Sequence, residues 1–188
     1  MARHLILVRH AMPDVQPGVA PRLWGLSESA GEDCVLLAHA LPEKLAPVVW
    51  SSGEKKAEQT AAIIAMRRGL RVEVDEGFGE VDRPPEWAED HRTLAAAYLA
   101  GTERAGWEPR ERVMHRFAEA VERARAGAGE GDVVIVNHGM ALSLYLELVA
   151  RIDIVPFWKA LTFPDAWRVD LETGELTRLY SGAPAPDA

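Results

Sequence analysis

Two short runs of branched apolar residues, far apart in the chain, limit what it can fold into: Leu5-Ile6-Leu7-Val8 and Val133-Val134-Ile135-Val136. Neither alternates polar with apolar side chains, so each reads as a strand buried on both faces, as in a sheet covered by helices on either side. Around them the apolar spacing changes period. Ser29, with Glu32 three positions later, has the pattern of a capping box for a helix running to about Leu41, before Pro42. Val48-Val49-Trp50 predicts another strand, closed by Ser51, Ser52 and Gly53. Glu54 to Arg68 predicts a helix with Ala57, Thr60, Ala61, Ile64 and Ala65 near one face and Gly69 as its stop. Val72 to Val74 alternates as a short strand. After a charged, proline-rich loop at 79–85, His91 to Ala100 and Glu108 to Ala126 predict two helices, and Met140 to Ala150 a third. Ala166 to Leu171 and Leu176 to Tyr180, joined across Thr173-Gly174, predict an edge hairpin. Strand alternating with helix implies the α/β class: a three-layer α/β/α sandwich with a mostly parallel central sheet and a C-terminal edge hairpin. One domain is expected over 1–181, with about 83–127 as a small helical cap insertion and 182–188 as a flexible tail.

Charge excludes some partners. Lysine and arginine number 21 against 29 acidic residues, a net −8 that argues against wrapping nucleic acid or anchoring on an acidic membrane. No apolar run approaches the ~20 residues of a membrane span. The stretch from Leu5 is cut short by Arg9 and His10, which is not the layout of a signal peptide. The single cysteine, Cys34, offers neither an internal disulfide nor a Cys-rich zinc site. These features predict a cytoplasmic protein with no nucleic-acid or membrane partner; the oligomeric state is left open, a homodimer included.

In open α/β sheets ligands bind beyond the carboxyl ends of the strands. Here the strands end in Arg9-His10, in Trp50-Ser51-Ser52 and in Asn137-His138-Gly139. A lone histidine at a strand end is ordinarily a satisfied loop residue. Two in the same position, with an arginine and a pair of hydroxyls, predict a site. His4, His39, His91 and His115 fall on strand or helix surfaces and are read as structural. Trp24 and Trp87 fall in loops near the expected mouth of the site, where packing is the better reading for each.

Leu7-Val8-Arg9-His10-Ala11 resembles the Arg-His-Gly signature of the histidine phosphatase superfamily, the phosphoglycerate mutase-like proteins. Three further segments match in order: Ser51 to Ala61 resembles the family's Ser-Ser-x-x-x-Arg-Ala-x-Gln-Thr-Ala stretch, Phe78-Gly79-Glu80-Val81 the segment with its acidic residue, and Val136-Asn137-His138-Gly139 its second His-Gly motif. The likeness runs from Leu5 to about Leu148. It implies that His10 is a phosphoryl-accepting nucleophile, which splits one displacement into two. Arg9 would grip two phosphoryl oxygens with its planar fork, and His138, if protonated, would donate another charged hydrogen bond to them. Glu80 would protonate the departing alkoxide and then take a proton from water, with Glu76 in reserve among the neighbouring acids Asp75, Asp82 and Glu86. Ser51 and Gly139 join Arg9 as substrate-binding residues. No metal and no cofactor is required, and the cation Arg9 makes the His10 neighbourhood an awkward place for a metal.

The sequence also departs from the family. Lys56 stands where the second phosphate-binding arginine is usual, keeping the charge but losing the bidentate fork, and its plain alternative is a solvated helix lysine like Lys55. Ala11 replaces the usual glycine, and Met12, Pro13 and Asp14 replace the usual polar residues. Arg83 either reaches substrate or pairs with a nearby carboxylate, the second being favoured. The function expected is a metal-independent phosphomonoester hydrolase acting through phosphohistidine on a small phosphorylated metabolite. Mutase-type phosphoryl transfer, a weakened phospholigand-binding scaffold and a phosphoprotein phosphatase stand as alternatives.

Overall fold

The computed structural model describes residues 4–84 and 90–184. Trp87 and Glu86, and residues 185–188 of the expected tail, lie outside the described residues. Six strands form one sheet: β1 (His4–Arg9), β2 (Leu45–Ser51), β3 (Arg71–Val74), β4 (Asp132–Asn137), β5 (Thr162–Asp170) and β6 (Leu176–Pro184), in the order β3-β2-β4-β1-β5-β6. The first four run parallel, and β5 lies antiparallel to both β1 and β6. Helices α1 (Ala30–Ala40), α2 (Lys55–Arg68), α3 (His91–Leu99), α4 (Arg110–Ala126), α5 (Gly139–Ala150) and α6 (Ile154–Lys159) connect them, with 3-10 turns at Pro21–Leu23 and Glu76–Phe78.

The uniform apolar runs are explained by two cores. Successive side chains of a strand point to opposite faces. Ile6, Val8, Val134 and Val136 pack against Leu37 and Ala38 of α1 and Ala57, Ala61 and Ile64 of α2. Leu5, Leu7, Val133 and Ile135 pack on the other face, against Phe117 and Val121 of α4 and Leu142 and Leu146 of α5. The three-layer arrangement follows. In α4, which the sequence reading places inside a cap at about 83–127, Val113, Phe117, Ala120, Val121 and Ala124 are buried in this second core, so the helix belongs to the layer that covers the sheet.

Local differences have local causes. The capping box at Ser29 does not form: Ser29 itself has helical φ/ψ, and backbone turns from Ala30 to Ser27 O and from Glu32 to Ser29 O start α1 instead. β2 begins three residues earlier than its apolar run, because a register shift between Leu45 and Val49 accommodates Pro47, which has no N–H to donate. α4 starts at Arg110 after Pro109, and Glu108 turns aside to meet Arg116. α6 has no counterpart in the sequence reading, and β6 extends through Gly182 to Pro184, residues expected in the tail, by pairing with Thr162 and Phe163. At the end of α2, Gly69 takes φ +66° and its N–H caps Ala65 O, a left-handed position that glycine fills without strain. No helix among the described residues is long and apolar enough to cross a membrane.

Candidate active site

Register brings the strand ends together. Arg9 pairs with Asn137 across β1 and β4, and Ser51 with Val136 across β2 and β4. The ladder then continues one step past the strands: His10 N–H donates to Asn137 O at 3.0 Å, and Ser52 N–H to Val136 O at 3.1 Å. His10 and His138 therefore leave neighbouring parallel strands at the same level, and their ring centroids lie 5.2 Å apart. Both line a cavity of about 660 Å³ that also takes in Arg9, Glu54, Lys56, Glu76, Glu80 and Phe163.

His10 is held in one tautomer. Its Nδ1 lies 2.7 Å from Ala11 O, and a carbonyl only accepts, so Nδ1 carries the proton and Nε2 keeps its lone pair. Thr60, the middle residue of Gln59-Thr60-Ala61, accepts from Ala11 N–H at 3.1 Å and donates to Lys56 O at 2.8 Å. The loop after His10 and the helix carrying Lys56 are thus tied through one hydroxyl. Burial, reinforced by His138, Lys56 and Arg9, holds the His10 imidazole well below the usual histidine range. Burial also lowers His138, with Lys56, Arg83 and Arg9 adding to it. Burial and the neighbouring cations thus disfavour a positive charge on either ring.

The cations are set by packing. The Arg9 guanidinium lies 3.5 Å over the Phe163 ring, and its Nη1 donates to Leu161 O at 3.1 Å. Burial draws it down to about 10, against the attraction of Glu80 and Asp165, and it remains a cation at neutral pH. Gly139 lies directly beside it: a Cβ there would sit 3.3 Å from both Arg9 Nε and Trp158 Nε1, so the missing side chain is what lets α5 start against the guanidinium. Lys56 is buried, unlike exposed Lys55, because the α2 face that carries Ala57 and Thr60 turns it inward. Its Nζ donates to Pro21 O at 2.9 Å and to Glu54 Oε2 at 2.5 Å. The reading of Lys56 as a solvated surface lysine therefore fails.

The acidic groups differ in setting. Glu80 Oε1 accepts from Ala141 N–H at 2.9 Å and Oε2 from Met140 N–H at 3.2 Å, which places the carboxylate at the start of α5. Arg116 holds this loop by donating to Gly77 O, Gly79 O and Glu80 O at 2.8–2.9 Å. Glu76, the reserve, lines the same cavity, whereas Asp75 is taken up by Arg123 at 2.7 and 2.9 Å.

Of the expected binding residues, Arg9 and Lys56 line the cavity, whereas neither Gly139 nor Ser51 does. The Ser51 hydroxyl is turned to the backbone, donating to Ser52 O at 2.9 Å. Ser52 holds the useful position, with its Oγ 2.6 Å from His138 Nε2. Period two explains the exchange, since neighbouring side chains at a strand end face opposite ways. Glu54, Arg116, His91 and Phe163 were not legible as site residues, although Glu54 lies inside the matched stretch at a position the family pattern leaves free. His91, expected to be structural, lies on the cavity wall, and burial together with Arg83 lowers it to about 4. Arg83 also lines the cavity, 5.7 Å from the Trp107 ring. Trp24 lines it too but is anchored through Nε1 to Gln16 O and Val19 O. Among the described residues no cluster of three or more His, Cys, Asp or Glu is arranged to hold a metal ion.

Comparison with known proteins agrees with this geometry. The sequence model of the Histidine phosphatase superfamily (branch 1) matches residues 5–175. A glucosyl-3-phosphoglycerate phosphatase of Mycobacterium tuberculosis is 29% identical over 182 residues, covering 85% of this chain and 80% of that protein. The solved native structure of a mycobacterial glucosyl-3-phosphoglycerate phosphatase superposes with a TM-score of 0.74 at 21% identity, covering 97% of this chain and 100% of that one. A phosphoglycerate mutase from Bacillus anthracis superposes with a TM-score of 0.66 at 18% identity, covering 97% and 94%. At these identities the two structural likenesses speak to the fold alone.

Proposed function

We propose that this chain, which belongs to the histidine phosphatase superfamily, is a phosphomonoester hydrolase that works through a phosphohistidine on a small phosphorylated metabolite. One observation carries the reading: a neutral imidazole, its Nδ1 proton engaged by Ala11 O, presents an Nε2 lone pair within a cavity that also holds two cations. Nε2 of His10 attacks phosphorus in line; the N–P bond forms as the bond to the leaving oxygen breaks. Arg9, Lys56 and the N–H of His138 stabilise the charge spread over the equatorial oxygens. Glu80 gives its proton to the leaving alkoxide, which departs as an alcohol. Water then attacks phosphorus, Glu80 takes a proton from it, the N–P bond breaks, and inorganic phosphate leaves with His10 restored.

Lys56 supports hydrolysis over a scaffold role, because the position keeps a buried cation on the cavity wall even though it lacks the arginine fork. The name of the mycobacterial relative, a glucosyl-3-phosphoglycerate phosphatase, directs the search for substrate to phosphorylated sugars and sugar acids. The test is phosphate release from p-nitrophenyl phosphate and from such a panel, in EDTA. His10→Ala is expected to lower kcat/KM by about a thousand-fold or more without changing Tm, and wild-type burst kinetics should yield an acid-labile phosphoprotein. Activity retained in His10→Ala would overturn the reading, and conversion of 3- to 2-phosphoglycerate faster than hydrolysis would turn it into a mutase.

A further inference from the structure

Among the described residues, Glu54 is a carboxylate whose contacts coincide with those a phosphoryl group needs. Its Oε2 accepts from Lys56 Nζ at 2.5 Å, and its Oε1 lies 3.4 Å from His138 Nε2 and accepts from Glu80 N–H at 3.1 Å. Lys56 and His138 are two of the three donors that the phosphoryl reading requires, and Glu54 lines the same cavity. The side chain is also well enclosed, 18% exposed, so its charge is poorly screened by water. A second anion arriving at these donors meets the carboxyl groups of Glu54 and Glu76, against the cations Arg9 and Lys56.

We propose that Glu54 is a specificity residue: its carboxylate competes for Lys56 and His138, so that only an anion able to outbid a carboxylate is admitted to the nucleophile. The inference rests on the phosphatase reading and extends it. A phosphomonoester dianion replaces both contacts that Glu54 gives up and adds a third with Arg9, using two negative charges against one. A carboxylate or a phosphodiester monoanion brings only one charge, matching what it displaces. Glu54 thereby sets a threshold that weakly held, singly charged competitors do not reach, and it opposes retention of the inorganic phosphate released at the end of each cycle.

The experiment measures Ki for inorganic phosphate and for formate against p-nitrophenyl phosphate hydrolysis in wild type, Glu54→Gln and Glu54→Asp, with direct phosphate binding followed by calorimetry. Glu54→Gln keeps the shape and removes the charge. It is expected to lower Ki for phosphate roughly ten-fold, the factor that 1.4 kcal/mol of relieved repulsion gives. It should lower Ki for formate by a smaller factor, because a single charge meets less of that repulsion. Glu54→Asp, too short to span both partners, should fall between, and it keeps the test standing if the glutamine variant folds poorly. Unchanged or weaker phosphate binding in Glu54→Gln, with wild-type hydrolysis intact, would overturn the proposal and leave Glu54 as a prop for Lys56. Absence of both hydrolysis and phosphate binding in every variant, wild type included, would instead overturn the phosphatase reading itself, and this inference with it.

Discussion

At the amino end of the sheet, His4, Asp132, Arg168 and Asp170 close on one another. Arg168 grips Asp132 at 2.8 and 3.4 Å, and His4 reaches Asp132 at 3.4 Å and Asp170 at 3.7 Å. At the carboxyl end, Arg9, Lys56, His10 and His138 stand around a cavity, and among the described residues Arg9 Nε and Asn137 Oδ1 are buried with no hydrogen-bond partner. Both ends assemble histidine, basic and carboxylate side chains from β1, β4 and their neighbours. The first cluster saturates its donors on cross-strand partners, whereas the second leaves donors for something else. Cost explains the contrast: buried polar groups without partners are expensive, and they are kept where function uses them.

The contrast can be broken from either end. The largest effect is expected at Lys56: Lys56→Ala should lower kcat/KM for a phosphomonoester about a hundred-fold, the usual loss for one preorganised donor, with Tm nearly unchanged. Wild-type kinetics in that variant would make the carboxyl end as structural as the amino end. Next comes Arg168→Ala, which leaves Asp132 buried without its grip and should cost about 1–3 kcal/mol in denaturant unfolding while kcat/KM stays at the wild-type value. A fall in kcat/KM beyond the loss of folded protein would mean that the two ends are coupled.

The smallest effect is a pH dependence of stability that belongs to the carboxyl end. The folded His10 and His138 lie below the unfolded histidine value, so the unfolded chain binds more protons between the two. Stability is therefore complete above about pH 6.5 and falls on acidification. Removing one of these rings, as in His138→Asn, should flatten the decline in stability between pH 7 and pH 5 by about 1–2 kcal/mol, measured by urea unfolding at each pH. An unaltered slope would show that the ring is protonated as readily in the folded protein as in water.

The sheet was legible because burial on both faces writes itself directly into sequence, as at Leu5–Val8 and Val133–Val136. The strand-end rule then brought Arg9, His10 and His138 forward without any contact being known. What escaped depends on register and on crossings. Ser51 and Ser52 are equivalent in composition, and only the pleat decides which meets His138. Lys55 and Lys56 are equally basic, and only the turn of α2 buries the second. Glu54 acquires its place because the start of α2 crosses the loop bearing Glu80, a juxtaposition with no periodicity to announce it. α6 is six residues long and contains Pro156, too short for a helical stripe to show.

The order in which the site is completed follows from β5. The ring under the Arg9 guanidinium and the carbonyl that accepts from it, Phe163 and Leu161, are synthesised some 150 positions after Arg9 and His10. A nascent polypeptide that has not yet reached Leu161 carries the His10 imidazole without the seat for its neighbouring cation. A fragment released before Leu161 therefore lacks the contacts that seat the Arg9 guanidinium beside His10.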